Sequence, residues 1–113
     1  MPVPAPEGRV RLDLDQMPDL DRPGGSVKIL PEGHGDPIYV LEREGAFTAI
    51  SPICTHRGCT VDIEGTRLVC PCHGSTYQRS GEVVKGPAER PLQPLPLTLS
   101  GRVLVIDVSG VAP

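Results

Sequence analysis

Val10, Leu12 and Leu14 alternate with Arg11, Asp13 and Asp15, the period-two signature of a strand with one polar face. A turn at Pro23-Gly24-Gly25 leads into a second expected strand, Ser26–Leu30. Residues 31–37 read as a loop, and the lone His34 within it reads as a surface residue. Ile38–Arg43 and Ala46–Ile50 form the clearest hairpin, turning at Glu44-Gly45. Thr60–Ile63 and Arg67–Cys70 make another, about Glu64-Gly65. Ser80-Gly81 turns the chain into Glu82–Val84, and Leu95–Leu99 closes on Val103–Val108 about Ser100-Gly101. Residues 1–8 read as an extended, proline-rich lead with no core to join. The pattern predicts an all-β chain, an antiparallel sandwich or small barrel, with no internal repeat and no dividing linker.

Composition sharpens this picture. Fourteen prolines and thirteen glycines oppose long helices and favour short strands joined by many turns. A chain of 113 residues is one domain, and with three aromatic residues its core is modest. A metal centre or a disulfide would help such a core hold. The net charge of −3 offers no basic surface for nucleic acid. Asp13, Asp15, Asp19 and Asp21 form a loose acidic group, for which a solvated face is a better reading than a docking patch. No apolar run approaches the roughly 18 residues needed to span a bilayer. The opening M-P-V-P-A-P-E-G has neither a basic region nor an apolar stretch, so it is not a signal peptide. Two readings stay open: a soluble native protein, or a soluble domain whose anchor and hinge precede Pro2.

The chemistry is concentrated between Cys54 and Tyr77. All four cysteines and two of the three histidines lie there. The donors fall into two short clusters, Cys54-x-His56 and Cys70-x-x-His73, leaving Cys59 and Cys72 over, one in each. Each cluster follows directly after an expected strand, which puts both on loops above a rigid scaffold, a usual place for function. Two thiolates and two imidazoles suit a tetrahedral zinc site, or the two halves of a two-iron centre. The leftover thiols are placed to tie one loop to the other.

The pattern C-x-H…C-x-x-H, met by Cys54, His56, Cys70 and His73, resembles that of the Rieske family. The longer form C-T-H-x-G-C…C-P-C-H-G-S-x-Y is also met, and is similar to Rieske proteins of quinol-oxidising cytochrome bc-type complexes and their soluble relatives. The resemblance implies a β base with a small inserted cluster-binding subdomain, about residues 51–91. It implies a [2Fe–2S] cluster with Cys54 and Cys70 on the buried iron and His56 and His73 on the outer one. Ser75 matches a serine that donates to a bridging sulfide, and Tyr77 a tyrosine that donates to the sulfur of Cys54. Such bonds raise the reduction potential. Cys59 and Cys72 match the inter-loop disulfide of high-potential members; free structural thiols, or a redox-active Cys70-Pro71-Cys72, are the rival readings. Gly58 and Gly74 would allow close backbone turns. Gly86-Pro87-Ala88-Glu89-Arg90-Pro91 resembles the family's proline loop, with Glu89 where a further proline is frequent.

Two departures stand out. Arg57 follows the first histidine where leucine is typical of quinol-oxidising members, and a cation there is costly at an apolar docking surface. The span 57–69 between His56 and Cys70 is shorter than usual, with the shortening in the hairpin at Glu64-Gly65.

The resemblance therefore implies one-electron transfer, proton-coupled through the histidine ligands. The domain would act as a soluble carrier or as the extrinsic part of a quinol–cytochrome c oxidoreductase. Its partners would be redox proteins, a c-type cytochrome and a cytochrome b quinol site among them. A disulfide suits an oxidising compartment, hence the periplasmic or outer face of an energy-transducing membrane. The alternative is a ferredoxin feeding a ring-hydroxylating dioxygenase, which usually lacks the Cys59/Cys72 pair, Ser75 and Tyr77. A Rieske oxygenase needs a second iron domain that 113 residues do not contain. A zinc module would leave Ser75, Tyr77 and the second cysteine pair without a role.

Overall fold

The computed structural model describes residues 2–33, 37–53, 59–64, 67–72, 74–86 and 91–109. His34, Cys54–Gly58, His73 and residues 87–90 fall outside them, so the expectations for His34, Arg57, Gly58 and most of the proline loop do too. In chain order the strands are β1 (Pro2–Val3), β2 (Arg9–Asp13), β3 (Ser26–Pro31), β4 (Ile38–Arg43), β5 (Ala46–Ile50) and β6 (Asp62–Glu64). They continue with β7 (Arg67–Val69), β8 (Thr76–Gln78), β9 (Val83–Lys85), β10 (Pro94–Leu95), β11 (Leu97–Ser100) and β12 (Val103–Asp107). Among the described residues the only helices are single 3-10 turns at Pro6–Gly8 and Leu14–Gln16, and none is long and apolar enough to cross a membrane. The chain is all-β, and it divides into two compact units: Met1–Ser51 with Leu95–Pro113, and Pro52–Pro94.

The first unit is a sandwich. One layer has the order β1-β3-β4-β5-β10 and the other β11-β12-β2. The alternation read at Val10–Leu14 works as period two requires. Leu104 sits opposite Leu12 and Ile106 opposite Val10, so all four point inward and are buried. They meet Ile29, Ile38, Val40, Ala49 and Leu95 from the other layer in one core. The run from Ile38 to Glu42 is buried throughout, as a strand covered on both faces should be.

Glu44 (φ 53°) and Gly45 (φ 84°) are both left-handed, which gives the two-residue turn matched to strand twist. The carboxylate of Glu42, itself buried, accepts from the amides of Gly45 (3.3 Å) and Gly24 (3.2 Å), tying that hairpin to the turn before β3. In the acidic group, Asp13 accepts from the Asp15 amide at 3.0 Å, while Arg102 pairs with Asp15 at 3.0 Å and also with Asp21. These exposed contacts account for three of the four carboxylates locally.

The lead differs from the expectation that it has no core to join. Pro2–Val3 pairs in parallel with Leu30–Pro31, the Glu32 amide donates to the Val3 carbonyl at 2.9 Å, and Val3 is buried. One apolar residue between prolines is enough at a sheet edge. Proline's missing donor costs nothing where no neighbour waits for it.

The second unit is one antiparallel sheet, β6-β7-β8-β9. β8 has no strand signal in the sequence, where Thr76 and Tyr77 read as motif. At β9 the partner of Thr76 is Lys85 and that of Tyr77 is Val83, so Val84 is an extra, bulged residue.

Candidate metal centre

The site is built on the β7–β8 hairpin. Leu68 pairs with Tyr77 and Val69 with Thr76. The Cys70 amide then donates to the Ser75 carbonyl at 2.8 Å, carrying the register one residue further. Beyond that pair the chain reverses: the Gly74 amide donates to the Cys70 carbonyl at 2.9 Å, and the Thr76 hydroxyl to the Gly74 carbonyl at 3.1 Å. Gly74 has φ 76°, where a side chain would be strained, so glycine is required to close this turn. Cys70 is thus held at both its amide and its carbonyl.

The register determines which side chains share a face. With period two, Leu68 and Cys70 on one strand face the same way as Ser75 and Tyr77 on the other. Their exposures agree: 0% for Leu68, Ser75 and Tyr77, and 1% for Cys70. A thiol and two hydroxyl-bearing side chains are therefore gathered on one dry face, with the Gln78 and Thr76 side chains on the wetter one. Such a face suits a group that needs a soft anionic ligand and donors nearby in low dielectric.

Counting the β6·β7 pairing outward from Ile63–Leu68 puts Val61 across from Cys70, and Cys59 across from Cys72. Cys59 and Cys72 are joined by a disulfide with Cα atoms 6.5 Å apart. A regular antiparallel pair is about 4.5–5.5 Å, so the ladder has begun to open where the bridge takes over. The pairing read from the resemblance is the one present, and the free-thiol and Cys70–Cys72 readings are set aside in this oxidised form. On either side of residues 54–58 the chain is held by a bridge between Ile53 and Thr60 and by the Val61 amide on the Pro52 carbonyl, at 2.8 Å. After the proline loop the Leu92 amide donates to the Gly81 carbonyl at 2.8 Å, and Leu92 is buried.

The sulfur atoms of Cys59, Cys70 and Cys72 lie within 4.8 Å of one another. They are not a ligand trio here, because a disulfide sulfur is not a thiolate. The disulfide removes Cys59 and Cys72 from the donor set and leaves Cys70 as the free cysteine among the described residues. That donor chemistry fits a [2Fe–2S] centre with two thiolates and two imidazoles, Cys54 being the remaining thiol of the sequence. Of the expected ligands, Cys70 is placed, while Cys54, His56 and His73 lie outside the described residues. Ser75 and Tyr77 are placed, on the Cys70 face. Val61, across from Cys70, was not singled out in the sequence; its number becomes meaningful only once the β6·β7 register is known.

Comparison with known proteins agrees with this construction. The profile of the Rieske [2Fe-2S] domain matches residues 14–96. The cytochrome b6-f complex iron-sulfur subunit of Chlorobaculum tepidum is 32% identical over 108 residues, 94% of this chain and 59% of that protein. Among solved structures, the plasma membrane Rieske protein of Synechocystis PCC 6803 is similar at 27% identity and TM-score 0.58, over 89% of this chain and 87% of that one. The ferredoxin of carbazole 1,9a-dioxygenase from Nocardioides aromaticivorans IC177 shares the fold, with TM-score 0.63 at 23% identity over 87% of this chain and 95% of that one. The chain spans 59% and 48% of the two relatives from Chlorobaculum and 26% of the one from Bigelowiella natans, so it covers only part of their length. The profile covers most of the chain, including the hairpin and the four cysteines: this chain belongs to the Rieske [2Fe–2S] domain family.

Proposed function

We propose that this domain is a high-potential one-electron carrier, working as a soluble carrier or as the extrinsic domain of a quinol-oxidising cytochrome complex. The family's [2Fe–2S] cluster is its cofactor, held in this reading by Cys54 and Cys70 on one iron and His56 and His73 on the other. The unit Pro52–Pro94 is then the cluster-binding subdomain. The observation that carries the proposal is the buried face shared by Cys70, Ser75 and Tyr77 beside a disulfide that spares Cys70 for coordination.

A bound Rieske cluster supplies one-electron redox chemistry at about −150 to +300 mV. The chain's own residues set where in that range it works. The Ser75 and Tyr77 hydroxyls donate toward sulfur and favour the more negative, reduced state. The ring nitrogens of His56 and His73 not used for iron hold or release a proton, and in a quinol complex one of them hydrogen-bonds the quinol and takes its proton. The disulfide keeps the two ligand loops together. The relatives named as cytochrome b6-f subunits support redox partners in such a complex, and the disulfide suits the periplasmic or outer face of an energy-transducing membrane. The dioxygenase-ferredoxin alternative has less support, since the Cys59–Cys72 bridge is a feature those ferredoxins usually lack.

A reduction-potential titration from neutral to alkaline pH tests the proposal. The expected result is a positive potential at pH 7 that falls as the histidines lose protons. A strongly negative, pH-independent value would move the ferredoxin reading to the front. In the same titration Tyr77→Phe and Ser75→Ala are each expected to lower the potential while the cluster is retained. If each hydrogen bond favours the reduced state by about 1 kcal/mol, the shift is about 40 mV for one electron. An unchanged potential in both variants would remove the hydrogen-bonding role.

A further inference from the structure

Among the described residues, Cys70 is the cysteine that the disulfide does not absorb, and the fold buries it. It is 1% exposed, so external thiols and oxidants have little access to it. Yet its sulfur lies within 4.8 Å of both sulfurs of the Cys59–Cys72 disulfide. Thiol–disulfide exchange needs a sulfur nucleophile beside a disulfide sulfur, and here the Cys70 sulfur already neighbours both sulfurs of the bridge. Proximity of that kind replaces a bimolecular encounter by an intramolecular one.

We propose that Cys59, Cys70 and Cys72 form an exchange triad that gates cluster loading. In the cluster-free chain the Cys70 sulfur attacks one disulfide sulfur. A new S–S bond forms to Cys70, the Cys59–Cys72 bond breaks, and the displaced cysteine leaves as a thiolate. The proton that Cys70 gives up to solvent is matched by the one the leaving thiolate takes. One thiol and one disulfide are present before and after, so no oxidant or reductant is consumed. The product has lost a cluster ligand, because Cys70 is now in a disulfide. It regains that ligand when the exchange runs back or when a thiol reductant opens the bridge. Coordination of Cys70 to iron blocks the attack, so a loaded cluster preserves the native pairing and an empty site exposes it to rearrangement.

The consequence for loading rests on Cys70 being a cluster ligand, as proposed above; the exchange itself does not. The test keeps the two apart. Full-length, cluster-free chain is incubated without reductant at neutral pH, quenched by alkylation, digested and mapped by mass spectrometry. Cys54→Ser is run in parallel, so that Cys70 is the sole free thiol at the start, and far-UV circular dichroism checks that it is folded. The expected result is a shift of the alkyl label from Cys70 onto Cys59 or Cys72 in both proteins. Label that stays on Cys70 at every time point would overturn the proposal and leave Cys70 as a ligand untouched. In a second arm, exchanged wild-type chain is offered iron and sulfide with and without prior thiol reduction. Cluster absorbance is expected promptly after reduction, and without reduction no faster than the alkyl label returns to Cys70. Prompt full loading of exchanged chain without reduction, while the label still sits on Cys59 or Cys72, would overturn the gate.

Discussion

Cys70→Ala is expected to abolish cluster assembly while leaving the protein folded. The bound iron should fall from about two atoms per chain to near zero, and the visible absorbance and electron paramagnetic resonance signal of the reduced cluster should vanish with it. Alanine is the informative replacement, because a serine hydroxyl offers an alternative oxygen ligand and a buried polar group in need of a partner. The fold should survive for an identifiable reason. The turn is held by the backbone of Cys70, through Ser75 and Gly74, and the disulfide beside it is intact. Only a sulfur atom is lost, from the buried face shared with Leu68, Ser75 and Tyr77. Circular dichroism like that of the wild type with no iron is the predicted combination. Retention of a full cluster signal in Cys70→Ala would refute the assignment.

The second large effect is on stability. The double variant Cys59→Ala/Cys72→Ala should be less stable by about 3 kcal/mol, the value for closing a loop of about this length in the chain-entropy view. The bridged cysteines are 13 residues apart. In urea this is a fall in midpoint of about 1–3 M, for a slope of about 1–3 kcal/mol/M. Two controls sharpen the result. A thiol reductant should destabilise the wild type by a similar amount, and it should leave the double variant unchanged. The effect should be large here because the unit that the bridge closes has short strands, three residues each from β6 to β9. Strands of that length form few ladder bonds and have little apolar surface to offset the entropy of ordering them. A double variant within about 0.5 kcal/mol of the wild type would mean that the β7–β8 turn is held by its hydrogen bonds alone.

The hairpin at Glu44-Gly45 was legible because its signal is local: a short glycine turn between two strand-like runs, Ile38–Arg43 and Ala46–Ile50. The strand at Val10–Leu14 was legible because alternation states which residues share a face. The lead was misread for the opposite reason. Nothing in Pro2–Val3 announces that it will lie along β3 in parallel, since that pairing depends on a strand more than twenty residues away. Thr76–Gln78 carries no strand signal of its own at the end of the C-P-C-H-G-S-x-Y run, and the bulge at Val84 cannot be counted before both neighbours are paired.

The donor set divides in the same way. Which residue types could hold iron was written in the sequence by itself: cysteines and histidines at C-x-H and C-x-x-H spacing, a second cysteine pair, and a serine and tyrosine after the last histidine. Ligand chemistry is a property of side-chain atoms, and short spacings limit which of them can reach one point. Only the tertiary structure decided how the cysteines are partitioned, by joining Cys59 to Cys72 and leaving Cys70 free. It also decided that Cys70, Ser75 and Tyr77 share one buried face. Both outcomes depend on register across the β6–β7–β8 ladder. A period of two tells a strand which of its faces is which, but its partner and its register are set by long-range packing and turn closure.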